Sequence, residues 1–75
     1  MARKRPPLHL INIFEASARH QSFKLASEEL HLSPSAISHQ VKSLETYLGF
    51  SLFTRKSRKV TLNPAGKMFL SYANS

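Results

Sequence analysis

Apolar residues recur along the chain in runs whose spacing changes from helical to strand-like and back. From Leu8 to His20, Leu10, Ile11, Phe14 and Ala18 return on one helical face, with Glu15 and Arg19 off it. Gln21-Ser22 interrupts the pattern, and Ser22 is a suitable N-cap for a short second helix. In that helix Phe23, Ala26 and Leu30 share a face, while Lys24, Glu28 and Glu29 do not. Ser33-Pro34 marks a third start: the serine caps, and the proline gives up an N–H that has no intrahelical partner. The third helix runs to Leu48 and stops at Gly49, a natural residue for a left-handed helix end.

Two helices joined by about three or four residues, the second opening on a capping serine, have the spacing of a helix-turn-helix, here over about residues 23–48. Beyond Gly49 the period shortens. Phe50 to Thr54 and Val60 to Leu62 are β-branched and aromatic and flank Arg55 to Lys59, which predicts a two-stranded hairpin with a basic tip. Asn63-Pro64 repeats the cap-and-proline start, and Ala65, Met68, Phe69, Tyr72 and Ala73 mark one face of a fourth helix. The expected fold is mainly α: a winged helix-turn-helix over residues 7–64 with a wing at about 50–62. A basic arm over residues 1–6 precedes it, and a C-terminal helix begins within residues 65–75.

The third helix carries the functional argument. At about 100° per residue from Ile37, Val41, Leu44 and Leu48 fall within about 40° and form a narrow apolar stripe. Ser35, Ser38, His39, Lys42 and Thr46 fall on the far side, and Glu45 lies at that face's edge. An exposed helix surface ordinarily mixes Glu with Lys to gain i,i+4 pairs, and this one does not. Short donors and acceptors with one lysine suit a major groove, where base edges present hydrogen-bonding groups. Ser35, Ser38 and His39, toward the start of the helix, are therefore the candidate base readers. Lys24, Ser33, Lys42, Thr46, Arg55, Lys56 and Lys59 are the candidate phosphate contacts. Arg58, with Arg55 as the other choice, is the candidate for insertion into the minor groove.

Composition points the same way. The 75 residues make one small domain, too short for a spacious ligand pocket, and 41% hydrophobic residues suffice for a single core. Eleven Lys and Arg stand against four acids, all Glu, for a net charge of +7. Seven of the eleven cations fall in Arg3-Lys4-Arg5 and Arg55-Lys56-Ser57-Arg58-Lys59. Such clustering predicts a polyanionic partner. No cysteine is present, and His9, His20, His31 and His39 lack i,i+4 pairing, so neither a disulfide framework nor a metal site is expected. Two glycines cannot make a phosphate-cradling loop, and Ser38-His39 has no Asp to complete a nucleophilic triad. Catalysis and a bound cofactor are not expected. The apolar stretch from Leu8 to Phe14 is broken by His9 and Asn12, as in an amphipathic helix rather than a secretory signal, and no segment is long enough to span a membrane. A cytoplasmic location is the expectation.

The string from Phe23 to Glu45 resembles the DNA-binding motif of LysR-type transcriptional regulators. Leu48-Gly49-Phe50-Ser51-Leu52-Phe53-Thr54-Arg55 is similar to the family's "LG-x-x-LF-x-R", and Leu62-Asn63-Pro64-Ala65-Gly66 to its "LT-x-AG". Pro6-Pro7-Leu8 and Ala18-Arg19-His20-Gln21-Ser22-Phe23 are most similar to the subgroup of glycine-cleavage and β-lactamase regulators. The resemblance implies a bacterial winged helix that binds promoter DNA as a dimer, pairing through a long helix of which the fourth helix is the start. Met68, Phe69 and Tyr72 are the candidate pairing residues. It also implies an effector-binding domain, not contained in these residues, through which any small molecule acts. Pro34 stands where the family commonly has a base-reading Gln, and His39 where it frequently has Arg. Ser27 replaces a common Ala, and Asn63 the usual Thr. The competing expectation, from a different class, is a winged helix that docks on a partner protein through Met68, Phe69 and Tyr72 without specific DNA readout.

Overall fold

The computed structural model describes residues 6–56 and 59–74. Three helices come first: α1 (Leu8–His20), α2 (Phe23–Leu30) and α3 (Pro34–Leu48). An antiparallel hairpin of β1 (Phe53–Lys56) and β2 (Lys59–Leu62) follows, then α4 (Pro64–Ala73). The hairpin pairs Phe53 with Leu62, Thr54 with Thr61, Arg55 with Val60 and Lys56 with Lys59. The basic arm Arg3-Lys4-Arg5, Ser57 and the expected minor-groove residue Arg58 lie outside the described residues.

Each predicted cap forms. Ser22 accepts from the Leu25 amide, Ser33 from the Ala36 amide at 3.1 Å, and Asn63 from the Gly66 amide at 2.7 Å. Each supplies an acceptor to one of the amides that the first turn of a helix leaves unpaired. Gly49 ends α3 with φ +87°, a left-handed conformation that costs glycine least. Gln21 and His31 take the same conformation at the ends of α1 and α2, so the turns around α2 are made without glycine.

The core is a cluster of rings and branched chains. Phe14 is fully buried, with Phe69 edge-on at 5.2 Å and Phe53 at 5.5 Å between ring centroids. Ile37, Val41 and Leu44 are fully buried, as the stripe on α3 predicted. Burying a side chain of this size contributes about 1.5–3 kcal/mol.

Three expectations need correction. The inner face of α1 is Leu10, Ile13, Phe14, Ala16 and Ser17, with Ile11 and Ala18 only partly covered. Ser17 can be buried because its hydroxyl donates to the Ile13 carbonyl at 2.8 Å. The first strand begins at Phe53 rather than Phe50, because the Leu52 amide bonds the Glu45 carboxylate instead of a neighbouring strand. Phe69, expected on the pairing face of α4, is only 8% exposed and packs on Phe14. Gly66 and Phe69 face inward, while Met68 (76% exposed) and Tyr72 (54%) face outward. Gly66 is required at its position: a Cβ there would stand 2.1 Å from the Leu52 carbonyl oxygen.

Candidate nucleic-acid interface

Burial of Ile37, Val41 and Leu44 fixes the roll of α3 about its axis and turns the opposite side outward. Ser35, His39, Lys42 and Thr46 are exposed there, and Ser38 is half-buried. Ser33 lies at the same end, its oxygen capping Ala36 and standing 3.3 Å from the Ser35 hydroxyl. Neither α2 nor α3 has an acid in its first turn. Their N-termini therefore keep the partial positive charge that attracts phosphate, with Lys24 exposed in the first turn of α2.

The root of the hairpin folds against that end of α2. The Arg55 guanidinium lies 5.0 Å from the centre of the Phe23 ring, and Phe23 in turn meets Phe53 edge-on at 5.8 Å. Sequence periodicity could not reveal this contact, because its partners are thirty-two positions apart. The structure thus brings the wing's first strand and the start of α2 together. Lys56 and Lys59 stand directly opposite each other across the hairpin, both exposed. Like charges at facing positions repel, so this pair costs stability unless an anion lies between or beside them.

Three of the four glutamates are occupied elsewhere. Arg19 forms bidentate bonds to Glu29 (2.8 and 2.9 Å) and to Glu15 (2.9 and 3.1 Å), and His20 lies 2.7 Å from Glu29. Arg19 holds the Glu29 carboxyl down to about 2, with His20 adding to the effect, and the Arg19 guanidinium is itself pushed up by the same bonds. Glu45, placed by periodicity at the edge of the outward face of α3, accepts from the Leu52 amide at 2.7 Å. The i,i+4 spacing of Glu15 and Arg19 was legible beforehand; the reach to Glu29 and the bond from Leu52 were not. Among the described residues, ion pairs involve only Arg19 and His20, so the lysines of α2, α3 and the wing have no carboxylate partner. No group of three or more potential metal ligands occurs among the described residues, and no helix there is long and apolar enough to cross a membrane.

A three-helix core, a capped helix with an outward polar face and a basic hairpin at its side define a winged helix-turn-helix DNA-binding domain. The family model of the bacterial regulatory helix-turn-helix proteins of the lysR family matches residues 8–67. The chain belongs to the LysR family. It is 45% identical over 69 residues to the glycine cleavage system transcriptional activator of Escherichia coli strain K12, covering 92% of this chain and 23% of that one. It is 57% identical over 60 residues to the transcriptional regulator DsdC of the same strain, covering 80% of this chain and 19% of that one. The chain therefore spans less than a quarter of the length of these relatives. The DNA-binding domain of CbnR in complex with DNA superposes with a TM-score of 0.87 at 32% identity, covering 92% of this chain and 79% of that one. The BenM domain bound to benA site 1 DNA gives 0.87 at 35% identity, covering 92% and 78%.

Proposed function

We propose that this chain reads a specific site in double-stranded promoter DNA, with α3 in the major groove and the wing on the adjacent backbone and minor groove. The observation that carries this reading is the exposed, acid-free face of α3 flanked by cations that no carboxylate neutralises. Ser35, Ser38 and His39 are assigned to base edges, and Lys42 and Thr46 to the phosphates beside them. Lys24 and Ser33 contact phosphate from the helix starts, Arg55, Lys56 and Lys59 from the hairpin, and Arg58 enters the minor groove. The DNA complexes of CbnR and BenM, which share this fold, support the placement.

The working protein on this reading is a cytoplasmic transcription regulator of the bacterial chromosome, not an enzyme, and it takes no cofactor. It pairs with a second copy through the outer face of α4, where Met68 and Tyr72 are exposed and Met68 lines a shallow apolar hollow with Phe50. Any small-molecule effector acts through a domain other than this one.

Selection of bound duplexes from a random pool, followed by affinity measurements at several salt concentrations, tests the reading. The selected site is expected to outcompete scrambled DNA at every salt, and equal affinity for both refutes specific recognition. In the same assay Ser38→Ala or His39→Ala is expected to erode discrimination by about 1 kcal/mol, the low end for one base contact.

A further inference from the structure

The junction between α3 and the wing contains a break in the hairpin ladder that one side chain repairs. The register that pairs Phe53 with Leu62, continued by one residue, sets Leu52 opposite Asn63, just outside both strands. A hydrogen-bonded antiparallel pair exchanges two bonds, each residue donating once. Here only one is made: the Asn63 amide donates to the Leu52 carbonyl at 3.0 Å. The Asn63 carbonyl accepts from the Lys67 amide at 2.9 Å, starting α4, and the Leu52 amide does not donate to it. The Leu52 side chain is fully buried, and a buried amide left unpaired is costly. Glu45 takes it up at 2.7 Å, a short bond because the acceptor is charged.

Asn63 completes the junction from the other side. Its side-chain amide donates to the Ser51 carbonyl (3.0 Å) and hydroxyl (3.1 Å), while its side-chain oxygen caps Gly66. The Ser51–Leu52 segment is thereby tied at one side to the last turn of α3 and at the other to the start of α4. Gly66 packs so closely on the Leu52 carbonyl that no larger residue fits between them.

We propose that Glu45 and Asn63 are positioning residues that set the wing in register with the recognition helix, so that both engage one DNA site together. This rests on the DNA-binding reading above. It also gives an acid at the edge of the DNA-facing side a role: its charge is directed at an amide rather than at the duplex.

The test compares footprints of the chain and its variants on the selected duplex. Methylation protection reports the major-groove centre, and hydroxyl-radical protection reports the flanking backbone under the wing. Glu45→Ala should lose the flanking protection and about tenfold in affinity while the central protection persists. Glu45→Gln, whose amide oxygen still accepts from Leu52, should restore the flanks. Asn63→Ser keeps a cap for Gly66 but loses the amide NH2 that reaches Ser51, and should show the same selective loss in a chain that folds. Amide exchange on the free variants adds a readout independent of DNA: Glu45→Ala should speed exchange at Leu52 and through the hairpin but leave α3 protected. Variants that keep both protections, or lose both in proportion, overturn the inference while the DNA-binding reading stands. A native chain with no footprint overturns both.

Discussion

The two ends of α2 carry charges of opposite sign, and each sign opposes the helix dipole. Lys24 sits in the first turn, where the dipole favours an anion, and Glu28 and Glu29 sit toward the end, where it favours a cation. At the C-terminal end the molecule compensates for itself: Arg19 and His20 from α1 close on Glu29. At the N-terminal end it does not. Ser22 caps one amide, Arg55 lies over Phe23, and the charge there is positive throughout. One end is a completed ion cluster that joins two helices. The other is an incomplete one, and on the function proposed above DNA completes it. The difference separates charge that serves the fold from charge that serves a partner.

The largest effect is expected from placing an acid on the incomplete side. Lys42 is exposed on α3 with no carboxylate partner, so Lys42→Glu should leave the fold intact, within about 0.5 kcal/mol. DNA affinity should fall on the order of tenfold to a hundredfold at low salt, through a lost phosphate contact and a new repulsion. The slope of log affinity against log salt should shrink by about 0.9 for that contact. Anisotropy titrations with thermal melting as a control measure both. Native affinity in this variant contradicts placement of α3 against DNA.

How far each side could be read from sequence follows from the range of its interactions. Caps depend on three or four neighbours, so Ser22, Ser33, Asn63 and Gly49 were legible at once. The exposed face of α3 was legible because a single buried stripe fixes the roll of a helix. The completed cluster was half legible: Glu15 and Arg19 are one turn apart, whereas Glu29 arrives only through the packing of α1 on α2. Phe69 was misplaced for a related reason. Periodicity groups it with Met68 and Tyr72, and only the position of Phe14 decides which of them turns inward. Glu45 was read as an edge residue because its partner is a main-chain amide, which carries no signature in side-chain identities.

An intermediate effect, with the opposite readout, belongs to the completed side. Arg19→Ala leaves Glu15 and Glu29 facing each other with only His20 between α1 and α2 to offset them. The melting temperature should fall, and the salt slope of DNA binding should stay at its native value because no phosphate contact has been removed. A change in that slope without a loss of stability reassigns Arg19 to the DNA-facing side and ends the distinction between the two ends.

The smallest effect concerns acid, and its sign follows from the same cluster. Hydrogen bonds from Arg19 first, and His20 second, hold the Glu29 carboxyl down to about 2 in the folded chain, against an ordinary 4.5. Between those values the unfolded chain binds the proton and the folded one resists it, so stability rises with pH across that window. The contribution is fully present above about 4.5 and disappears as pH falls through about 2. Solvent and salt screen an exposed pair, which keeps the effect small. Urea unfolding followed by circular dichroism, suited to a chain without tryptophan, should show a native midpoint that declines from pH 5 to pH 2.5. In Arg19→Ala the decline should be shallower over the same range, and 1 M salt should flatten the native curve toward the variant's. Lys42→Glu should leave the native decline unchanged, because position 42 takes no part in the cluster. Parallel declines in native protein and Arg19→Ala place the acid sensitivity outside Glu29, and the C-terminal end of α2 then has no more internal compensation than its start.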